Sequence, residues 1–434
     1  MSDFMFVLDS HLTPGQNRAV AEIQAIATEA GMSVWLAGGA MRDMLRGAPI
    51  RDLDFVVERD ALKTAKLLAA KLDGEVLAED SLKRFAELQL PGDTRASVSN
   101  ARSEKYPKPG GKPQIQPATI HEDLQRRDFT INSIALSLNR GARGLLVDPC
   151  NGQADLLNRE LRATNSYIFY DDPCRLIRLV RFKHALGFEL APRTKLQFEN
   201  ALLENFHKHV PGSAVAHEIR TMALDPGIVP MLEELDSHGL LGAISKGLTG
   251  ARLNVTGLDR FEKLIQSVMP PGTSGGMMTF LSVLLEKLNS KERAEALVSF
   301  ELSPTEVADL KKLDARARKL EEALKLAKMQ RPSNLWDVMH EATVDDILSV
   351  LMHSTARPVQ DRIRAWFEKY LPIAMEVTDE DVIATGAKPG TAKFDKARAS
   401  LIAARLNAKP KKEEELEAEP EPMKAPMVAG RGRG

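Results

Sequence analysis

LAGGAMRDMLRGAPIRDLDFVV, residues 36–57, holds a Gly-Gly pair and, 13 residues beyond it, two aspartates spaced i, i+2. SVWLA (33–37) is a short apolar run that predicts a buried strand, Gly38-Gly39 a turn, Ala40–Leu45 a short helix and Leu53–Val57 a second strand. Side chains alternate along a strand, so Asp52 and Asp54 fall on one face while Leu53 and Phe55 point into a core. Two carboxylates at a sheet edge suit Mg²⁺, which takes oxygen ligands and completes its shell with water and substrate phosphates. A bare Asp-x-Asp is common on solvated strand faces. Its context here is more specific: Gly38 and Gly39 follow a strand and open a helix, which lets backbone N–H groups approach a triphosphate, and Arg42 lies one turn further on.

Outward from this stretch, Thr13 and Pro14 start a helix that Gly31 ends, and residues 62–72 also read as helical. EVLAE and FAELQL read as strands, and 101–120, rich in Pro, Gly and Lys, as a loop. From about residue 124 onward apolar positions recur three or four apart in FTINSIALSL, CRLIRLVRF and TKLQFENALL, which predicts a mainly helical remainder. With 434 residues the chain is long enough for two to four domains, and aromatic content of 5% argues against a β-sandwich. No apolar run approaches the roughly 20 residues a membrane helix needs, and the N-terminus lacks the pattern of a secretory signal. Only Cys150 and Cys174 occur, which excludes a disulfide framework and fits a reducing cytoplasm. The segment from Pro410, with KKEEELEAEPEP and a closing GRGRG, has the composition of a disordered tail.

GGAMRD followed by DLD resembles the signature of the nucleotidyltransferase superfamily, in its class II tRNA nucleotidyltransferase and bacterial poly(A) polymerase branch. Two further segments carry the resemblance. DLQRRDFTINSIAL (123–136) is similar to the family's RRDFTINA motif, which implies that Arg126, Arg127 and Asp128, with Asn132 one turn on, orient the sugar and triphosphate of an incoming nucleotide. DDPCRLIRLVRF (171–182) resembles the EDxxR nucleotide-selecting motif, with Asp171 in place of the usual Glu. Pro173 suits a first helical turn, so Asp172, Arg175 and Arg178 are expected on one helix face. Cytosine and adenine each present an exocyclic amine beside a bare ring nitrogen. Asp172 can accept from the amine and Arg175 donate to the nitrogen, while uracil and guanine invert the pattern.

ARSEKYPKPGGKPQIQP (101–117) is similar to the family's ARTExYP segment, a loop flanking the active site, with Arg102 and Glu104 at its matched polar positions. Many relatives carry a further Asp five residues before that Arg. Ser97 stands there in this chain, which leaves Asp52 and Asp54 to hold Mg²⁺, with Glu104 a candidate helper. The scattered His207, His209, His217 and His340 read as surface or capping residues rather than metal ligands.

The fold that the resemblance implies is α+β: a polymerase-beta-like nucleotidyltransferase head (1–150) followed by all-α neck (151–235), body (236–370) and tail (371–407), with 408–434 disordered. The implied activity is template-independent addition of CCA to tRNA 3′ ends from CTP and ATP by two-metal nucleotidyl transfer. Relatives that add only A or only C, and poly(A) polymerases, share the motifs; a catalytically silent RNA-binding protein is the alternative from another class. No oligomeric state is read from the sequence. The whole-chain charge of −1 hides an asymmetry: residues 101–200 carry 16 Lys and Arg against 11 Asp and Glu, while residues 1–100 carry 11 against 15. The cations thus concentrate in the segment that bears the loop, RRD and DDPCR.

Overall fold

The computed structural model describes residues 4–269 and 275–408. The chain opens with α1 (Phe4–His11) and α2 (Pro14–Glu29), then β1 (Val34–Ala37), α3 (Gly39–Leu45), β2 (Asp52–Val57), α4 (Ala61–Lys71), β3 (Glu75–Asp80), β4 (Phe85–Leu90) and β5 (Thr94–Asn100). The Thr13 side chain and Gln16 form a reciprocal capping box at the start of α2, with Pro14 in the first turn. There follow β6 (Arg102–Lys105), β7 (Gln114–Pro117), α5 (Ile120–Gln125), β8 (Ala135–Ser137), β9 (Leu146–Val147), α6 (Gly152–Asn158) and β10 (Glu160–Leu161). The next segment holds α7 (Ile168–Asp171), α8 (Cys174–Leu186), β11 (Glu189–Leu190), α9 (Pro192–Leu203), α10 (Gly212–Met222) and α11 (Ile228–Ser237). The remaining described elements are helical, the longest being Pro304–Lys325. None is long and apolar enough to cross a membrane.

Seven strands form one sheet in the order β3-β4-β5-β2-β1-β8-β9. β2 and β5 are parallel, and β1 runs antiparallel to both β2 and β8. Leu53, Phe55 and Val57 enter the main core beneath the sheet. The opposite face, which carries Asp52 and Asp54, is covered further along by a smaller cluster of Trp35, Val56, Ala135, Ile120 and Leu124. Because Ile120 and Leu124 belong to α5, burying that helix's apolar side holds its polar residues beside the two aspartates.

Three sequence expectations need correction. FTINSIALSL is not a helix: Thr130–Asn132 is one 3₁₀ turn and Ala135–Ser137 is strand β8. Ile134, Leu136 and Leu138 alternate with period two, and β1 requires a partner on that side. The stretch 101–120 is not all loop, since β6 and β7 pair with Ser103 opposite Gln116. Asp172 does not share a helix face with Arg175 and Arg178, because it is extended (φ −137°, ψ 96°) and α8 begins only after Pro173.

Among the described residues, one compact unit runs up to Arg316 and takes in Val344–Met352, and the other comprises Ala317–Thr343 and continues from His353. Within the first, sheet and helices share one core that runs in sequence from Met5 to Met352. The second has its own core of Ala374, Val377, Val382, Ala387, Phe394, Ile402 and Leu406. Apart from Ala408, the region read as a disordered tail lies outside the described residues.

Candidate active site

All fourteen site residues expected from the sequence line one cleft of about 640 Å³ in the first unit. Its floor is the sheet. Ala37 pairs with Asp54, so Gly38 leaves β1 directly beside that carboxylate. Gly38 has φ +68°, and a Cβ there would lie 2.9 Å from Arg127 Nη1 and 3.1 Å from Asp54 Oδ2. The glycine is required twice over, for its left-handed backbone and for the space that Arg127 and Asp54 share.

Asp54 Oδ1 accepts a hydrogen bond from Ser97 Oγ at 2.8 Å, across the parallel register that sets Asp54 beside Ser97. The residue standing where many relatives have an acid therefore orients one of the two acids instead. Among the described residues neither Asp52 nor Asp54 is in an ion pair, and no group of three potential metal ligands occurs. Burial, and then the Asp54 charge, push the Asp52 carboxyl above its ordinary value. Two adjacent carboxylates that no ion pair occupies among the described residues form a donor set that a hard divalent cation fits. Glu104 is not available to help: it accepts from Arg102 Nε at 2.8 Å, Arg126 Nη1 at 3.2 Å and Tyr106 Oη at 2.8 Å.

A carboxyl whose pKa is raised by folding binds its proton more tightly in the folded state. Ionisation then costs stability as the pH rises from the unfolded value through the raised one. Asp52→Asn is accordingly expected to melt at a higher temperature than the unaltered chain at pH 7 in EDTA, and to lose the stabilisation that Mg²⁺ gives. A melting temperature equal to or below that of the unaltered chain would refute this.

The cleft's second wall is α5 and the turn after it. Thr119 and Glu122 form a capping box that starts this helix, and one turn on is Asp123, 0% exposed. Each Asp123 oxygen takes one arginine side chain, and Oδ1 also accepts from the Arg102 backbone N–H at 3.2 Å. Oδ1 takes Arg126 Nε at 3.1 Å and Nη2 at 2.5 Å; Oδ2 takes Arg127 Nε at 3.2 Å and Nη2 at 3.1 Å. Burial would raise the Asp123 pKa, but Arg126 and Arg127 outweigh it and hold the carboxyl below its ordinary value. Arg126 also donates from Nε to the Arg102 carbonyl and from Nη1 to Glu104, so each of its nitrogens already has a protein partner. Arg127 is likewise partnered, with Nη1 donating to the Asn132 carbonyl at 3.4 Å, and that same nitrogen borders the Gly38 corner. Sequence reasoning missed Asp123, although Thr119-x-x-Glu122 marked the helix start and the i+3 and i+4 spacing to the arginines followed from it. Asp123→Asn is expected to cost about 2 kcal/mol by leaving two buried guanidiniums under-neutralised; denaturant melts measure it, and a loss below ~0.5 kcal/mol would contradict this account.

A charged chain continues along the cleft. Arg42 is held by both Asp43 oxygens at 2.9 Å and donates from Nη1 to Asn132 Oδ1 at 2.9 Å. Asn132 donates to Asp128 Oδ1 at 3.1 Å, and Asp128 Oδ2 accepts from Arg178 Nε at 2.7 Å. Burial opposes the Asp128 charge, yet Arg178 and Arg175 win and hold this carboxyl far below its usual range. Arg178 also reaches Glu218 at 3.3 Å, and Arg181 pairs with the same carboxylate. Arg42, Arg178 and Arg181 stand 5.3, 5.4 and 4.3 Å from the Phe182 ring centre, which stabilises three neighbouring cations by its negative faces.

At the far end, Arg175 is 7% exposed and donates from Nη2 to the Arg126 carbonyl at 2.9 Å. Its Nε lies 3.9 Å from Asp172 Oδ2. Asp172 Oδ1 accepts from the Cys174 backbone N–H at 3.0 Å. Burial, with Asp172 beside it, pushes the Cys174 thiol up to about 12. The wall also contains Lys83, Phe85, Ser99, Tyr106, Arg181, Phe182, Thr221 and His217. His217 therefore lines the cleft, while His340 stacks on Trp336.

Residues 34–162 match the family model described as the poly A polymerase head domain. The chain is 34% identical over 268 residues to the A-adding tRNA nucleotidyltransferase of Halalkalibacterium halodurans, an alignment covering 60% of this chain and 62% of that protein. It is 34% identical over 216 residues to the CCA-adding enzyme of Francisella tularensis subsp. novicida, covering 48% and 54%. The chain thus spans less than two thirds of the length of either relative. A solved tRNA nucleotidyltransferase complexed with a primer tRNA and an incoming ATP analog is 25% identical, covers 81% of this chain and 99% of its own, and superposes with a TM-score of 0.55.

Proposed function

Since this chain belongs, by its head, to the tRNA nucleotidyltransferase and poly(A) polymerase family, we propose that it is a template-independent nucleotidyltransferase that adds CCA to tRNA 3′ ends, using CTP, ATP and Mg²⁺. The observation that carries this reading is the meeting of three parts in one cleft: the Asp52/Asp54 pair, the Gly38 corner with Arg127, and Asp172 beside Arg175.

Asp52 and Asp54 would hold Mg²⁺, which would lower the pKa of the RNA 3′-hydroxyl and neutralise the departing pyrophosphate. The other roles fall to the chain itself. Arg127, its Nε and Nη2 fixed by Asp123, offers Nη1 to the triphosphate across the space that Gly38 leaves. Arg42, Asn132, Asp128 and Arg178 form a fixed polar wall that needs no rearrangement when the nucleotide arrives. Asp172 accepts from the exocyclic amine of cytosine or adenine and Arg175 donates to the neighbouring ring nitrogen. Uracil and guanine would leave both unpaired.

A second reading, addition of the terminal A alone, is favoured by the name of the Halalkalibacterium relative. Purified protein given tRNAs that lack CCA, CA or A, with CTP, ATP or both, separates the two when the 3′ ends are sequenced. Growth of all three ends to CCA supports the first reading, and extension only of the end lacking A supports the second. No extension of any end would sink both.

A further inference from the structure

We propose that the β6–β7 loop and the turn Phe206–His209 form the surface that grips the phosphates of the RNA strand entering the cleft, an inference that rests on the nucleotidyltransferase reading. The loop bears Lys105, Lys108 and Lys112, all exposed, and no acid occurs between Lys105 and Ala118. It starts in the cleft wall at Tyr106 and crosses to the helical side. There Gly110 (φ +62°) comes so close that a Cβ would stand 3.5 Å from both His209 Cβ and Pro173 Cδ. His209 brings its exposed neighbour Lys208 to the same rim.

These lysines differ from the cations inside the cleft. Arg42, Arg102, Arg126, Arg127, Arg175, Arg178 and Arg181 each pair with a carboxylate of the chain. Among the described residues, no ion pair involves Lys105, Lys108, Lys112 or Lys208. Charge left open to solvent on one rim suits a mobile polyanion, and the compact ammonium of lysine meets phosphate without fixed geometry. The position selects the strand rather than the nucleotide. The triphosphate lies toward Gly38 and Asp54, whereas the rim flanks Pro173, next to the base-selecting Asp172. An RNA 3′ end brought up to a base held at Asp172 would leave the cleft past Pro173, beside the loop.

The test uses the full chain, unaltered and as Lys105→Gln/Lys108→Gln/Lys112→Gln, with Lys208→Gln as a separate variant. Affinity for a tRNA lacking CCA is followed by fluorescence anisotropy from low to high salt. Each lost phosphate contact lowers the slope of log K against log salt by roughly 0.7 to 0.9. The triple variant is therefore expected to lose about 2 in slope and Lys208→Gln a fraction to ~1, with the KM for ATP and CTP and the melting temperature unchanged. An unchanged slope would overturn the proposal. So would a raised nucleotide KM with intact tRNA affinity, since the lysines would then serve the triphosphate. If the unaltered chain binds no tRNA, the nucleotidyltransferase reading falls and takes this surface with it.

Discussion

Asp54→Asn is expected to slow nucleotide addition about a thousandfold, with the fold intact and tRNA affinity nearly unchanged. Asparagine keeps the size of the side chain and an oxygen that can accept from Ser97 Oγ, the 2.8 Å bond that fixes the native carboxylate. Strand register and the Gly38 corner therefore survive, and only the negative charge is lost. In the proposed mechanism that charge would be half of the donor set for Mg²⁺; removing ~4 kcal/mol of stabilisation from the reacting phosphate and the departing pyrophosphate corresponds to about three powers of ten. Single-turnover extension of a tRNA primer with saturating nucleotide and Mg²⁺ measures the effect. A rate within tenfold of the unaltered protein would remove Asp54 from the metal site.

Arg175→Ala is expected to erode nucleotide choice about a hundredfold. The side chain is buried and doubly committed, to the Arg126 carbonyl at 2.9 Å and toward Asp172 at 3.9 Å, so its guanidinium has a fixed direction. A site that rejects uracil and guanine by leaving buried donors and acceptors unpaired loses that penalty when the donor is deleted. The measured quantity is kcat/KM for CTP over UTP and for ATP over GTP, with tRNA affinity as the control. Because Arg175 also supports the Arg126 backbone, some loss of total rate is expected for every nucleotide. The ratio isolates selection, and an unchanged ratio would assign Arg175 a purely structural part.

What could be read in the sequence was whatever short-range spacing encodes. Alternation placed Asp52 and Asp54 on one face, and Thr13 with Pro14 marked the start of α2. The i, i+3 reading of Asp172 and Arg175 reached the right neighbours by the wrong route, because Asp172 lies outside the helix and approaches through an extended link. Period three-to-four in FTINSIALSL competed with period two, and the outcome was set by β1, which lies about a hundred residues earlier and needed a partner. The hairpin at 102–117 was hidden by its Pro, Gly and Lys content. Asp123 was hidden for another reason: total burial of a carboxylate becomes legible only once two arginines and the helix that carries all three are seen to converge on one side of the sheet. For the same reason the protein partners of Arg126 and Arg127, both expected at the triphosphate and both in the cleft wall, were not legible: Arg126 is tied to Asp123, Glu104 and the Arg102 carbonyl, Arg127 to Asp123 and the Asn132 carbonyl.

The core that joins sheet and helices has a consequence for how the site fluctuates. Leu53, Phe55 and Val57 beneath the aspartates and Leu176, Ile177, Leu179 and Val180 behind Arg175 belong to one buried cluster. Strand β2 and helix α8 are thus expected to open as one unit, with their backbone amides exchanging for solvent deuterium at matching rates in a hydrogen-exchange measurement. On the proposed function, the carboxylate pair and the Arg175 end of the cleft would then gain and lose their protection together.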